Sequence, residues 1–339
     1  MSGVRVGVVG ATGAVGRTMV AILEERDFPV AELRLMASSR SAGTKVATRW
    51  GEVEVEDLAV ADPAGLDIAL FSAGGDRSRE HAPRFAAAGA VVVDNSSAFR
   101  RDPDVPLVVA GVNDHAVADR PRGIVANPNC TTMDLMMAAA PLHRAAGLTS
   151  MVASSYQSVS GSGQRGMDEL VAQTRFFLDR GSEPLVDGGW EDPGGSVYPR
   201  PIGFNVIPFA GSEAEGGYTD EEWKLVHESR KILEAPDLRV EPTCVRVPVM
   251  VGHGIAATLR FGRPVGRDEA LEVLAEAPGV QVWEDRVPTP LDSAGMDDVL
   301  VGRVRETLGE EGGINLWVVG DNLRKGAALN AVQIAELLI

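Results

Sequence analysis

Cysteine is scarce in this chain: Cys130 and Cys244 are the only two in 339 residues. No disulfide framework can hold so long a chain on so few thiols, and each is judged by its own surroundings. Long apolar runs are missing as well. A membrane-spanning helix needs roughly 20 consecutive apolar residues, and the nearest candidate, residues 133–146, is interrupted by Asp134, His143 and Arg144. The chain enters an apolar strand almost at once, without a cationic leader or small-residue cleavage site, which predicts a cytoplasmic protein. Positive charge is short too: 32 Lys and Arg stand against 48 Asp and Glu, a formal net charge of −16. Nucleic acid and anionic membrane both need a dominant basic surface and are disfavoured as partners. An anionic small-molecule substrate would need a pocket made locally positive against the field of the whole chain.

What is present belongs to a folded chain. The apolar fraction of 45% lies well away from the disordered regime, and the length exceeds one ordinary core, which predicts two domains. Short apolar runs at 4–9, 33–37, 68–71, 91–93 and 123–126 read as strands. Helical patterns lie between them at about 14–25 and 78–88, and another follows at 131–146. This alternation predicts a mostly parallel, doubly wound sheet. Beyond Gly147 the texture changes. Strands are expected at 151–158, 240–251, 255–261 and 313–319, with helices reaching about 179, over 220–233 and over 327–338. Residues 181–200 hold several Gly and Pro with little periodicity and read as a surface loop or subunit-contact excursion.

Gly10-Ala-Thr-Gly13-Ala-Val-Gly16 follows the first strand and opens a helix. In that context the glycines let the backbone approach a pyrophosphate, while the helix start supplies N–H donors and positive dipole. The second strand ends in Ser38-Ser39-Arg40-Ser41, with no Asp or Glu for a ribose 2′-hydroxyl. Arg40 suits a 2′-phosphate instead, so NADP is the expected cofactor, although a solvated arginine in a polar loop also fits.

Cys130 stands between the turn Asn127-Pro128-Asn129 and a helix beginning Thr131-Thr132. A thiol at a helix start is expected to have a lowered pKa and nucleophilic character. Cys244 lies in an apolar strand pattern and reads as structural. Of the five histidines, His253 is flanked by Gly252 and Gly254 after an apolar strand, which suggests an exposed imidazole for acid/base work.

Longer blocks narrow the reading. The glycine-rich turn, Asp94-Asn-Ser-Ser-Ala-Phe-Arg100, Asn127-Pro-Asn-Cys130-Thr-Thr and Ser155-Tyr-Gln157-Ser-Val-Ser-Gly161 resemble the aspartate-semialdehyde dehydrogenase family. So do Gly217-Tyr-Thr-Asp-Glu221-Glu-Trp-Lys224, Arg246-Val-Pro-Val-Met-Val-Gly-His253 and Asp321-Asn322-Leu-Arg-Lys-Gly-Ala, in order along essentially the whole chain. The resemblance implies an α/β fold: an N-terminal Rossmann-like doubly wound parallel sheet plus an α+β catalytic and dimerisation domain, the C-terminal helix returning to the first. Residues 1–129 and 320–339 would form the NADP-binding domain and 130–319 the catalytic and dimerisation domain, in a homodimer.

The implied reaction is reversible, NADP-dependent reductive dephosphorylation of L-4-aspartyl phosphate to L-aspartate 4-semialdehyde through a thioester, feeding lysine, methionine and threonine synthesis. The resemblance makes Cys130 the nucleophile and His253 the acid/base. It puts Gln157, Glu221 and Arg246 on the amino-acid end of the substrate, and Arg100 and Lys224 on phosphate. Gly10, Thr12, Gly13, Ala14, Val15, Ser38, Ser39, Arg40, Ser41, Ser160, Gly161 and Asn322 would touch the cofactor, and no metal is implied.

These roles suit the residue types: arginine binds carboxylate bidentately, and Glu221 can balance an ammonium. Glu221 and Lys224 also fit a plain helix ion pair, and Gln157 a polar strand end. Asn129 is expected to shape the cysteine loop without touching the substrate itself. The chain departs from the family at Val109-Ala110-Gly111-Val-Asn113, where Val-Pro-Glu-Val-Asn is common, which leaves that loop's geometry open. Two alternatives stand beside this reading. One is an enzyme like N-acetylglutamyl-phosphate reductase, whose substrate lacks a free ammonium. The other is a non-catalytic NADP-binding homologue, which would be expected to lose the cysteine, the histidine or the phosphate cations.

Overall fold

In the computed structural model, which describes residues 3–309 and 311–339, the short apolar runs become the central strands of a parallel sheet. Strands β1 (Val4–Val9), β2 (Val30–Ala37), β3 (Lys45–Thr48), β4 (Gly51–Asp57), β5 (Ile68–Phe71), β6 (Val91–Asp94) and β7 (Ile124–Ala126) pair in the order β3-β4-β2-β1-β5-β6-β7. All pairs are parallel except β3 with β4. Helices α1 (Ala14–Glu25) and α2 (Gly75–Ala87) make the crossovers. The β3–β4 hairpin lay outside the sequence expectation. Its residues alternate polar with apolar and stay largely exposed, the pattern of a solvated edge.

Helix α3 (Cys130–Ala146) leads to the second sheet. That sheet orders β11-β12-β13-β10-β8-β9 from β8 (Leu148–Gln157), β9 (Arg239–Arg246), β10 (His253–Phe261), β11 (Val280–Trp283), β12 (Val299–Glu306) and β13 (Ile314–Gly320). Around it lie α4 (Gly163–Arg180), α5 (Glu183–Asp187), α6 (Asp220–Ile232), α7 (Arg267–Ala275) and α8 (Pro290–Ser293). The strand expected over 240–251 ends at Arg246. Past it the backbone turns alongside another loop, where Val249 and Met250 carbonyls accept the Val159 and Ser160 N–H groups. Within 181–200, a stretch with no fully buried residue, Val197, Tyr198 and Pro199 line the cavity that also holds Cys130.

Helix α3 is buried from Thr131 to Leu142 and shares one apolar cluster with strands of both sheets. A helix apolar on every side belongs in a core. Full burial of Met133, Leu135, Met136 and Leu142 contributes about 1.5–3 kcal/mol each.

After β13 a π-helical turn, Arg324–Ala328, precedes α9 (Leu329–Glu336), where a single helix was expected. Leu329, Val332 and Ile334 pack with Val6, Val8, Ile68 and Leu70, so the C-terminus returns to the first sheet. The Val109–Gly111 departure is tied to this return: Ala110 N–H donates to Asn330 Oδ1 at 2.9 Å, and Lys325 Nζ donates to Ala110 O at 2.8 Å. No helix among the described residues is long and apolar enough to cross a membrane.

The turn after β1 tests the backbone reading directly. Gly10 has φ 86°, and a Cβ there would lie 2.2 Å from Ser72 O. Gly10→Ala is expected to destabilise the protein by at least about 1–2 kcal/mol, the left-handed penalty alone. Urea unfolding measures it, and an unchanged midpoint would contradict the packing described.

Candidate active site

The site grows from the end of β7. Asn127-Pro128-Asn129 turns the chain, and Cys130 becomes the first residue of α3. Asn129 caps that helix, its Oδ1 accepting the Thr131 and Thr132 N–H groups at 3.1 and 3.3 Å. Its Nδ2 donates to Glu221 Oε1 at 2.7 Å, and its backbone N–H donates to Glu228 Oε2 at 2.6 Å. Asn129 therefore lines the cavity beside Cys130 instead of standing outside it. On the opposite side the π-helical turn presses close: a Cβ on Gly326 would sit 2.9 Å from Cys130 Cβ.

Cys130 Sγ lies 3.3 Å from His253 Nε2. The expectation of an exposed imidazole is corrected here, for His253 is fully buried. The flanking glycines serve close packing: a Cβ on Gly252 would meet Pro290 O at 2.7 Å, and one on Gly254 the Trp317 ring at 2.3 Å. The Ser158 backbone N–H donates to His253 Nδ1 at 3.0 Å, with Ser158 Oγ at 3.2 Å. Nδ1 being an acceptor, the neutral ring carries its hydrogen on Nε2, facing the sulfur. Of the acid and base halves expected for His253, the resting geometry presents the donor.

Charge in the resting pair also departs from expectation. The helix start is present, but burial, with Glu221 and Asp134 nearby, pushes the Cys130 thiol up to about 12 against the pull of Arg246 and Arg100. Burial and the Arg246 cation push His253 down to about 3. Both groups rest neutral.

Around them lies a cavity of about 530 Å³, where Arg100, Cys130, Gln157, Glu221, Lys224 and Arg246 meet. Gln157 is buried at the end of β8, its Nε2 donating to Ser155 Oγ at 3.1 Å. Arg246 donates through Nη1 to Ser158 O at 2.7 Å, while its buried Nε has no partner. A carboxylate arriving beside it would satisfy that donor. Burial pushes Glu221 up, yet the Lys224 ammonium, Asn129 amide and Arg246 together hold it down to about 2. Lys224 Nζ lies 2.9 Å from Glu221 Oε2 and 2.7 Å from Asp220 Oδ2, so the helix ion pair is real and also forms part of the wall. Arg100 donates to Asn127 O at 2.9 Å, Asn95 O at 3.0 Å and Glu228 Oε1 at 3.1 Å. Its loop is shaped by buried Asp94, which accepts from the Ser78 and Ser96 hydroxyls at 2.7 Å each.

The residues expected at the cofactor form two groups. Val15, Ser160, Gly161 and Asn322 line the cavity itself. Gly10, Thr12, Gly13 and Ala14 form the turn into α1, with Gly13 at its N-cap. Ser38, Ser39, Arg40 and Ser41 stand beside that turn, joined to it by Thr12 Oγ1 and Ser41 Oγ at 3.3 Å. Arg40 is exposed, and no ion pair among the described residues involves it. A close backbone approach at a helix start and an unpaired arginine at the end of β2 fit NADP. Asn322 also has an organising role. Its Oδ1 accepts from Ser158 Oγ at 3.1 Å, Ser160 Oγ at 3.1 Å and Gly252 N–H at 2.9 Å, joining the cofactor loop to the histidine.

Sequence reading gave Asn129 a part in the cysteine loop but not in the cavity wall, and missed Ser158 and Glu228 as site-forming residues, although Ser158 lies inside a motif block it used. A raised thiol pKa leaves thiolate scarce at neutral pH, and the fraction grows as pH rises. Iodoacetamide should therefore label ligand-free Cys130 more slowly than free cysteine at about pH 8, with a rate still climbing above about pH 9. A rate that levels off near neutrality would contradict the electrostatics above.

Comparison with known proteins shows the family and the fold. The semialdehyde dehydrogenase NAD binding domain family matches residues 5–120, and the semialdehyde dehydrogenase dimerisation domain family matches residues 139–325. An aspartate-semialdehyde dehydrogenase of Streptomyces akiyoshiensis is 56% identical over 337 residues, covering 98% of each chain. The crystal structure of aspartate semialdehyde dehydrogenase II of Vibrio cholerae complexed with ASA superposes with a TM-score of 0.94. It is 44% identical and covers 100% of this chain and 98% of that one. The Candida albicans enzyme with NADP gives a TM-score of 0.74 at 25% identity, covering 99% of this chain and 98% of that one. The chain belongs to the aspartate-semialdehyde dehydrogenase family.

Proposed function

We propose that the protein reduces L-4-aspartyl phosphate to L-aspartate 4-semialdehyde and phosphate with NADPH, reversibly, through a thioester on Cys130. The observation that carries this reading is the nucleophile–imidazole contact of 3.3 Å at the floor of a cavity walled by Arg246, Glu221, Arg100 and Lys224. Arg246, with its unpartnered Nε, takes the α-carboxylate. Glu221, held ionised, faces the α-ammonium, which favours the unacetylated aspartyl compound over an N-acetyl analogue. Arg100 and Lys224 take the phosphate, and Gln157 orients the substrate between them.

In the reductive direction Cys130 Sγ bonds to the acyl carbon and the carbon–oxygen bond to phosphate breaks. The thiol proton leaves with the departing phosphate, so neutral His253 need not accept it. NADPH, when bound, supplies a hydride to the thioester carbon. The carbonyl oxygen gains charge and takes a hydrogen bond from His253 Nε2–H. The carbon–sulfur bond then breaks, releasing the aldehyde, and the thiolate regains a proton from solvent. One proton is consumed per turnover, and the reverse reaction retraces these steps.

Residues 1–129 and 320–339 are assigned to the NADP-binding unit, and 130–319 to the catalytic and dimerisation unit of a cytoplasmic homodimer. The dimerisation-domain match supports the dimer.

In the phosphate-dependent assay of NADPH formation from aspartate semialdehyde, Cys130→Ala should abolish turnover while NADP still binds. Retained turnover would remove the covalent route. Arg246→Leu should raise KM for the semialdehyde by about tenfold or more, as expected for a lost charged hydrogen bond; an unchanged KM would remove the clamp. Arg40→Ala should weaken NADP and leave NAD unaffected, and equal loss with both would remove its 2′-phosphate role.

A further inference from the structure

Helix α6 carries a row of alternating charges, Glu221, Lys224, Glu228 and Lys231, at spacings of three, four and three residues. Those spacings place all four on one face. The first two wall the cavity. The second two lie behind it and have no part in the chemistry described so far.

Glu228 is 2% exposed, and both of its carboxylate oxygens are engaged. Oε1 lies 3.1 Å from Arg100 Nη1, across from the first sheet's loop, and Oε2 accepts the Asn129 N–H at 2.6 Å. A carboxylate taken this far from water is tolerated only with such pairing. One turn on, Lys231 Nζ donates to the carbonyls of Arg100, Asp102 and Val105 at 3.0, 2.7 and 2.7 Å. All three ammonium hydrogens are thus placed on the loop that carries Arg100.

The consequence falls on the guanidinium. Arg100 has five N–H donors, and three are taken by Asn127 O, Asn95 O and Glu228. One N–H on each Nη remains, which is the pair a phosphate would use. The guanidinium cannot turn without breaking the contact to Glu228.

We propose that Glu228, assisted by Lys231, is a positioning residue for phosphate: it sets the orientation of Arg100 and ties it to the Cys130 loop through Asn129. This rests on the reading of Arg100 as a phosphate ligand. Glu228→Gln keeps the size and shape, but turns an acceptor facing Arg100 into a site that can present a competing N–H.

The test is steady-state kinetics of the full-length enzyme in the oxidative direction, with inorganic phosphate, aspartate semialdehyde and NADP varied in turn. Glu228→Gln should raise KM for phosphate by about tenfold or more, the scale of one charge-assisted hydrogen bond. KM for the semialdehyde and for NADP should move by less than about twofold. The phosphate-free burst of NADPH, which precedes phosphate attack, should keep its amplitude. A merely structural role would shift all of these together, and that outcome would overturn the proposal.

Arg100→Ala separates the two levels. If it leaves KM for phosphate unchanged, the phosphate reading itself fails. If it raises that KM and Glu228→Gln does not, the positioning role alone fails. In the double variant Arg100→Ala/Glu228→Gln, the second change should add nothing to KM for phosphate. Should Glu228→Gln not fold, Lys231→Met cuts the loop's other tie and must show the same phosphate-selective rise; a Lys231→Met enzyme with unchanged KM for phosphate would overturn the proposal.

Discussion

Asn129 uses every polar group it has to hold Cys130 in place. Its side-chain oxygen caps α3, its carbonyl accepts the Met133 N–H at 2.9 Å, its amide nitrogen reaches Glu221, and its backbone N–H reaches Glu228. An N-cap of this kind is worth about 1 kcal/mol to a helix, but here it also fixes the nucleophile against α6. The arrangement brings carboxylates near the sulfur, and their charge, added to burial, opposes the thiolate that a helix start alone would favour. Position is secured at the expense of resting ionisation. In the proposed reaction, proton removal is tied to the arrival of a phosphorylated substrate, whose leaving group can carry the proton away.

The same economy resolves the problem set by a chain of net charge −16. The cavity is not lined by free cations. Arg100, Lys224 and Arg246 are each pinned by carboxylates or carbonyls and still keep donors for a ligand. Pairing gives these long side chains single orientations, so under the proposed function the pocket recognises an anion by geometry more than by field. Burial of α3 between the two sheets, with α9 returning beneath the first, makes the frame stiff enough to hold them. Asn322 completes it by joining the cofactor loop to the residue before His253.

Much of this was legible in the sequence wherever the determinant is local. The glycine-rich turn, the Asn-Pro-Asn-Cys turn and the apolar runs of the first sheet each carry their geometry in a few adjacent residues. The expected substrate residues Gln157, Glu221 and Arg246 do meet at one cavity. What escaped depends on distance in the chain. Glu228 reads as a solvated helix face until Arg100, 128 residues away, comes to lie against it. His253 between glycines reads as exposed, because Trp317 and Pro290 arrive from a remote strand and a remote helix. The sign of the Cys130 shift escaped for the same reason, since burial and Glu221 are tertiary and the helix start is not. Strand β11 was missed because four residues give little periodicity of their own, whereas β12 and the edge hairpin were passed over although Gly51–Asp57 carries the alternation of a strand.

The central claim is that a covalent aspartyl thioester forms on Cys130 and waits for phosphate. Mass spectrometry of the acid-quenched enzyme, mixed with aspartate semialdehyde and NADP but no phosphate, tests it most directly. The account predicts an aspartyl-sized mass increase on the peptide containing Cys130, formed together with one equivalent of NADPH and lost when phosphate is added. NADPH formed with no adduct on that peptide, or an adduct that phosphate does not discharge, would contradict it.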